Sequence, residues 1–235
     1  MEKVCKNDLE FYNNNGYLIK ENVLSEKDCD HYLNLCLKYL SDEKLKNYPE
    51  IPQVHRKIPE VLEIMKNINV LSIVEKILKG KSVGLQTVCS FKKANTPSGN
   101  LAWNPHQDGT YINIDEKKYV SGDIALDHHK TNSGLLYVYP GSHKEKILEY
   151  EPFESFGKLS NNPGNRVKDI PKKYKATELK LRKGSMLSFH SNVIHGSTKN
   201  TTKNGWRPLF LMAFMKEGSN YNPGKIAKRE PIELR

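Results

Sequence analysis

From about residue 81 to residue 216 the chain is written in short β-rich runs broken by turn residues, and this stretch constrains the fold more than any other feature. The runs are Val83–Lys92, Val120–Asp127, Leu135–Tyr139, Thr177–Leu181, Met186–His190 and Pro208–Met215, with Gly, Pro, Asn and Ser between them. Several short strands joined by turn chemistry imply a β sandwich or barrel. Two longer connections, Lys93–Trp103 and Glu145 to about Ala176, stand where a β scaffold usually carries its binding loops.

The first 80 residues read as helical. Residues 7–16 form a short amphipathic segment ending at Asn15-Gly16, and Tyr17-Leu18-Ile19 reads as a brief strand. Ser25 is placed to cap a helix, with Asp28 three residues on, and behind it Cys29, Tyr32, Leu33, Cys36, Leu37 and Leu40 recur at helical spacing. A third helix is predicted over about 69–79 with Ile73, Val74, Ile77 and Leu78 inward, and Gly80 standing at its C′ position. At 235 residues, with two Trp, seven Phe and twelve Tyr, the chain has material for one core. A single domain over 1–235 is expected: helical support to about 80, β core to about 216, then a tail over 217–235.

No apolar run approaches the ~18 residues a membrane helix needs, so no membrane partner is expected. The charged opening MEKVCKNDLE carries no signal-peptide pattern, and the end PIELR carries no prenylation or peroxisomal signal, which predicts a cytoplasmic protein. Cys5, Cys29, Cys36 and Cys89 form no C-x-x-C pair and read as reduced thiols. The formal charge of +10 comes from scattered residues, mostly Lys, without a basic stripe interleaved with aromatics. It therefore reads as a solvated surface, able to steer acidic small molecules, and nucleic acid is not expected as a partner.

Two segments carry chemistry. In W-N-P-H-Q-D-G, residues 103–109, His106 and Asp108 are two apart, which on a strand would point both side chains to one face, and Gly109 lets the chain turn away. In S-F-H-S-N-V-I-H-G-S, residues 188–197, a second imidazole is available at the end of a β run. Two His and one carboxylate occupy one face of an octahedron and leave three positions open on iron, as an oxygenase requires; a structural zinc site would instead close its shell. His190 and His195 are both candidates; His190 sits in an apolar run that suits a packed imidazole, and His195, before Gly196-Ser197, is favoured. Arg207 is one of only six Arg among 37 basic residues and opens the apolar strand P-L-F-L-M-A-F. Buried there it needs an anionic partner, and a dicarboxylate co-substrate offers one, with Ser197 able to add a hydroxyl.

The order and spacing of these segments resemble the phytanoyl-CoA dioxygenase family, which includes phytanoyl-CoA and ectoine hydroxylases. The resemblance runs from about residue 9 to 215. It opens on F-Y-N-N-N-G-Y-L-I-K-E-N-V-L-S, continues through H-Q-D, then A-L-D…N-S-G-L-L-Y-V-Y-P-G-S-H-K, and ends on H-G-S and the later Arg. It implies a mainly β fold with N-terminal helices, built on a double-stranded β-helix, the cupin-like jelly roll. It also implies an enzyme using Fe(II), 2-oxoglutarate and O2, releasing succinate and CO2 as it hydroxylates a substrate. By the same resemblance His106, Asp108 and His195 hold iron, and Arg207 with Ser197 holds the distal carboxylate of 2-oxoglutarate. Asp108 stands where the family's halogenases carry a small residue, which favours hydroxylation. The chain is shorter than the CoA-ester hydroxylases, which favours a small polar metabolite over an acyl-CoA.

Substrate would enter at the open end of such a barrel, where Arg56, Trp103, Asn104, Tyr111, Arg166 and Trp206 are candidate lining residues. His143 in P-G-S-H is expected to steady a turn, and His128-His129 to lie on an exposed connection. Two other readings stand beside this one: a non-catalytic cupin-like binding protein, and an oxygenase acting on an acyl-CoA or a macromolecule. Arg207 with Ser197 argues against the first, because a module that binds only metal has no use for them. Composition and spacing carry no signal for the oligomeric state.

Overall fold

The computed structural model describes residues 4–41, 43, 50–153, 164–224 and 227–235. Four helices and two strands come first: α1 (Lys6–Asn15), β1 (Tyr17–Lys20), α2 (Glu26–Tyr39), β2 (Glu50–Pro52), α3 (Leu62–Lys66) and α4 (Ile68–Leu78). The barrel follows as β3 (Ser82–Lys93), β4 (Trp103–His106), a one-turn helix α5 (Gly109–Ile112), β5 (Tyr119–Ala125), β6 (Leu136–Val138), β7 (Tyr150–Phe153), β8 (Gly164–Val167), β9 (Thr177–Leu179), β10 (Met186–His190), β11 (His195–Ser197) and β12 (Trp206–Lys216). A six-stranded sheet, β1-β10-β5-β12-β3-β2, faces a four-stranded one, β4-β11-β6-β9, and β7-β8 form a separate hairpin. Every pairing is antiparallel. The fold is the mainly β jelly roll with N-terminal helices that the sequence implied.

The large sheet has two chemically different faces, and the period of two explains why. On β3, Cys89 and Phe91 point outward into the core beneath the helices, while Gln86, Val88, Ser90 and Lys92 line an internal cavity. On β12, Phe210 and Phe214 pack outward, while Arg207, Leu209, Leu211 and Ala213 face the cavity. Ile73 and Val74 of α4 meet Phe91, Phe210 and Phe214 in one continuous cluster. Truncating one of these buried phenylalanines to Ala would cost about 3–5 kcal/mol. Cys29, Cys36 and Cys89 are buried free thiols, and Cys5 is exposed and free.

The helix signals were mostly legible. Gly16, at φ 79°, closes α1, and Ser25 caps α2 by accepting from Asp28 N at 3.1 Å. At the end of α4 the left-handed position belongs to Lys79, at φ 51°, and not to Gly80, because the helix stops one residue earlier than expected. The stretch Glu145 to about Ala176 is not one loop: it contains the β7-β8 hairpin, and residues 154–163 lie outside the described residues. His128 is exposed as expected, but His129 is buried. The turn after β5 folds inward, and His129 N donates to Leu181 O at 2.9 Å.

Candidate metal centre and co-substrate pocket

His106 and His195 stand directly opposite each other in the β4-β11 pairing. Their rings lie 4.3 Å apart by centroid. The close approach of β4 and β11 requires Gly196: a Cβ there would meet the Trp103 carbonyl and the Tyr137 hydroxyl at 2.5 Å. Asp108 is not on the strand. It lies past the end of β4, at φ −59° and ψ −30°, as the residue that opens α5. The i, i+2 alternation of a strand is therefore not what joins it to His106. The chain turns into α5, and Gln107 secures the turn from the opposite side. Its buried amide donates to Asn192 O at 2.8 Å and accepts from Leu148 N at 2.8 Å.

One oxygen of Asp108, Oδ1, lies 3.7 Å from Nε2 of each imidazole. Donor atoms of the three residues fall within 4.8 Å of one another. That is too long for hydrogen bonds and comparable to the ~3 Å between neighbouring ligands on ~2.1 Å metal bonds. The rest of each side chain is held. His106 Nδ1 lies 2.9 Å from Asn104 O and His195 Nδ1 lies 3.1 Å from Val193 O. A carbonyl only accepts, so both Nδ1 atoms carry the proton and both Nε2 lone pairs face the gap. Burial, reinforced by His195, holds the His106 imidazole down at about 4, so it stays neutral and able to bind metal. Tyr119 donates to Asp108 Oδ2 at 3.2 Å, which leaves Oδ1 turned toward the imidazoles. Phe189 stacks on His195 at 4.5 Å, covering its outer face. This donor set fits a divalent metal with one side of its coordination sphere open.

His190 lies elsewhere. Its ring packs 5.0 Å from that of His143, and its Nδ1 accepts from Asn192 N at 3.2 Å. His143 Nε2 in turn meets Asn13 O at 3.0 Å, so this pair fastens α1 to the barrel rather than facing the cavity.

The three donors border a cavity of about 220 Å³. At one end Arg207, only 3% exposed, lies beside Lys92 in the β12-β3 register. Among the described residues, Arg207 Nε and Nη1 have no hydrogen-bond partner. Lys92 Nζ donates to Ser197 Oγ at 2.9 Å, leaving the Ser197 hydroxyl proton available to an incoming acceptor. Burial, with Arg207 alongside, pushes the Lys92 ammonium down to about 6. Burial also lowers Arg207 to about 10, opposed by Asp123 and Glu50. Those two acids are weak counterions, because burial pushes both of their carboxyls up. A buried guanidinium with two idle nitrogens, beside a lysine that an arriving anion would protonate, fits an incoming carboxylate.

Of the substrate-side candidates, Trp103 and Tyr111 line the cavity. Tyr111 Oη accepts from Asn165 N at 2.7 Å, tying α5 to β8. Asn104 contributes its carbonyl to His106 and is not a lining residue. Arg56 is turned away from the cavity, donating to Lys228 O at 2.7 Å and Glu230 at 3.0 Å. Arg166 is exposed on the β7-β8 hairpin, paired with Glu151. Trp206 stacks on Phe91 at 6.0 Å, on the helix-facing side of the sheet. These corrections share a cause: alternation along β12 sends Trp206 outward and Arg207 inward, and pairing within the hairpin uses up Arg166. Lys92, Asp123, Tyr119, Gln86 and Arg229 also line the cavity and had not been singled out. For Gln86 a signal existed: a polar residue in phase with Ser90 on a largely apolar strand.

The chain as a whole is similar to proteins of known identity. Phytanoyl-CoA dioxygenase, peroxisomal, of Bos taurus is 23% identical over 95% of this chain and 72% of its own length. Ectoine dioxygenase of Nocardia farcinica is 24% identical over 94% of this chain and 81% of its own. Among solved structures, the non-haem α-ketoglutarate-dependent carbocyclase SnoK superposes with a TM-score of 0.76, at 19% identity, over 96% of this chain and 89% of that one. EvdO2 of Micromonospora carbonacea var. aurantiaca, complexed with 2-oxoglutarate, superposes at 0.70 and 17% identity, over 95% of this chain and 96% of that one. The profile of the phytanoyl-CoA dioxygenase (PhyH) family matches residues 12–209, which is most of the barrel and its helical support, and the chain belongs to that family of non-haem-iron, 2-oxoglutarate-dependent oxygenases.

Proposed function

We propose that this enzyme hydroxylates a carbon of a small polar metabolite, with iron(II) held by His106, Asp108 and His195. The observation that carries the reading is the pairing of two sites in one cavity. A half-open set of two imidazoles and a carboxylate stands at one place, and at another a buried guanidinium whose Nε and Nη1 have no partner among the described residues. When bound, iron, 2-oxoglutarate and O2 would supply the oxidising chemistry, one oxygen atom of O2 going to the co-substrate, which leaves as succinate and CO2, and the other to the substrate carbon. The chain's own residues do the rest. Asn104 O and Val193 O fix the imidazoles, and Tyr119 fixes the carboxylate. Arg207, Lys92 and Ser197 grip the distal carboxylate of 2-oxoglutarate, and a guanidinium does this in a two-pronged geometry that Lys alone cannot copy. The modest cavity, lined on one side by Tyr111 and Gly164, supports a small substrate. The neighbour SnoN was solved with Fe3+, α-ketoglutarate and nogalamycin RO, which supports the cofactor assignment.

The test is succinate release from 2-oxoglutarate with Fe(II), ascorbate and O2, screened against metabolites that stimulate it. Asp108→Ala should abolish turnover. Normal hydroxylation by that variant would refute the metal assignment. Iron and 2-oxoglutarate binding without any succinate, with every substrate class, would favour the cupin-like binding protein. Stimulation confined to acyl-CoA would move the substrate class.

A further inference from the structure

Arg229 belongs to the C-terminal segment, yet its side chain reaches the cavity wall. Its Nε donates to Gln86 Oε1 at 2.7 Å and its Nη1 to Pro223 O at 3.4 Å. Among the described residues Nη2 has no hydrogen-bond partner and the guanidinium forms no ion pair. A neutral amide orients the guanidinium, and the Asp108 carboxylate acts on it only through space, without a direct ion pair.

Its place along the barrel matters. Gln86 and Lys92 share the cavity face of β3, opposite Ala213 and Arg207 of β12 respectively. Six residues of strand separate them, about 20 Å. The cavity therefore has a cationic group at each end. The Lys92–Arg207 end adjoins Ser197, whereas the Arg229 end adjoins Tyr119, which holds the metal-site carboxylate Asp108. A five-carbon dicarboxylate is only about 6 Å long on ordinary bond lengths. One held at Arg207 leaves Arg229 open to a second anion. Tyr111, Ile112 and Ala213 supply an apolar wall next to it.

The segment carrying Arg229 is fastened on both sides. Arg56 and Gln53 bind the carbonyls of Lys228 and Ala227, and Ile232 pairs with Gly84. The guanidinium is thus presented by a clamped segment.

We propose that Arg229, oriented by Gln86, binds a carboxylate of the prime substrate, so that the enzyme oxidises a small carboxylic acid whose carbon chain lies along Tyr111 and Ile112. This rests on the reading that Arg207 holds 2-oxoglutarate. The basic surface, at a net charge of +10, would draw such an acid toward the cavity.

The experiment is NMR of the arginine Nε–H groups in the 15N-arginine-labelled full-length protein, loaded with Zn(II) as a diamagnetic stand-in for iron. Arg207→Lys and Arg229→Lys assign the two signals. Saturating 2-oxoglutarate should shift Arg207 and leave Arg229 in place. Acetate, the smallest carboxylate probe, should then shift Arg229 saturably, and acetamide should not. Gln86→Leu should weaken acetate about tenfold, equivalent to ~1.4 kcal/mol. If Arg207 responds to 2-oxoglutarate but Arg229 ignores acetate, or answers acetamide equally, the proposal falls and the co-substrate reading stands. An Arg207 signal indifferent to 2-oxoglutarate, or an Arg229 signal moved by it, overturns both. Unchanged acetate affinity in Gln86→Leu removes Gln86 from the assignment.

Discussion

Lys92 and Arg207 put two basic side chains side by side in a buried wall, and both can carry charge there only at a cost in stability until an anion arrives. A lysine lowered from 10.5 to about 6 binds fewer protons in the folded chain than in the unfolded one between those values. Its cost is therefore full below about pH 6 and is relieved as pH rises toward 10.5. A carboxylate beside Lys92 restores its proton. Binding of 2-oxoglutarate near pH 8 should thus take up close to one proton (~1) per molecule. Calorimetry in buffers of different ionisation enthalpy reads this number, and Lys92→Met should bring it to zero. Uptake persisting in that variant would assign the proton elsewhere. Arg207→Ala should weaken 2-oxoglutarate about a hundredfold, from ~3 kcal/mol for breaking a buried charged pair. At the metal site, His195→Ala should lose iron, while His190→Ala should keep it and lose about 1–3 kcal/mol of stability from packing against His143. Metal content of the two folded variants decides this, and loss only from His190→Ala would reverse the assignment. His106, Asp108, His195 and Arg207 could be singled out because their types are chemically unusual in their local setting. Lys92 could not, since Lys is the commonest charge on this chain and only its strand partner makes it special.

At the scale of elements, local rules placed three helices and seven strands but not α3, α5 or the joints. Asp108 reaches His106 because β4 ends and α5 begins there, a boundary invisible in a motif that reads equally well as continued strand. Strands β2, β4, β7, β8 and β11 are three or four residues long. Each owes its existence to a neighbour's hydrogen bonds and carries little pattern of its own. The end of α4 shows a local rule overruled by one residue. Lys79 holds a left-handed conformation that glycine adopts without steric cost. Lys79→Gly should therefore be neutral or stabilising, by up to about 1 kcal/mol, despite the added freedom of the unfolded chain. Urea denaturation measures it; clear destabilisation would show that the Lys79 side chain contributes more than its backbone costs.

For the molecule as a whole, the tail is a working part of the barrel. Residues 227–235 are tied back by Arg56 to Lys228 and Glu230, by Ile232 to Gly84, and by Arg235 to Glu75. Arg56→Ala should raise hydrogen exchange at 227–232 and leave β5 and β12 protected, since the clamp lies outside their ladder. Exchange spreading through the large sheet would show the clamp to be part of the core. No described helix is long and apolar enough to cross a membrane. Alternation and turn chemistry in the amino-acid order were enough to imply a β sandwich or barrel behind helical support, because those signals are local and repeat many times. The order also marked candidate metal-binding residues, because H-x-D, a later His-Gly and then a rare Arg occur together in the order a known family uses. Which side chains share a cavity was settled only when the strands paired. His106 meets His195, Lys92 meets Arg207, and Arg229 meets Gln86 across a separation of 143 residues. Such meetings are set by register and by the packing of sheets, and neither has a counterpart in any short stretch of sequence.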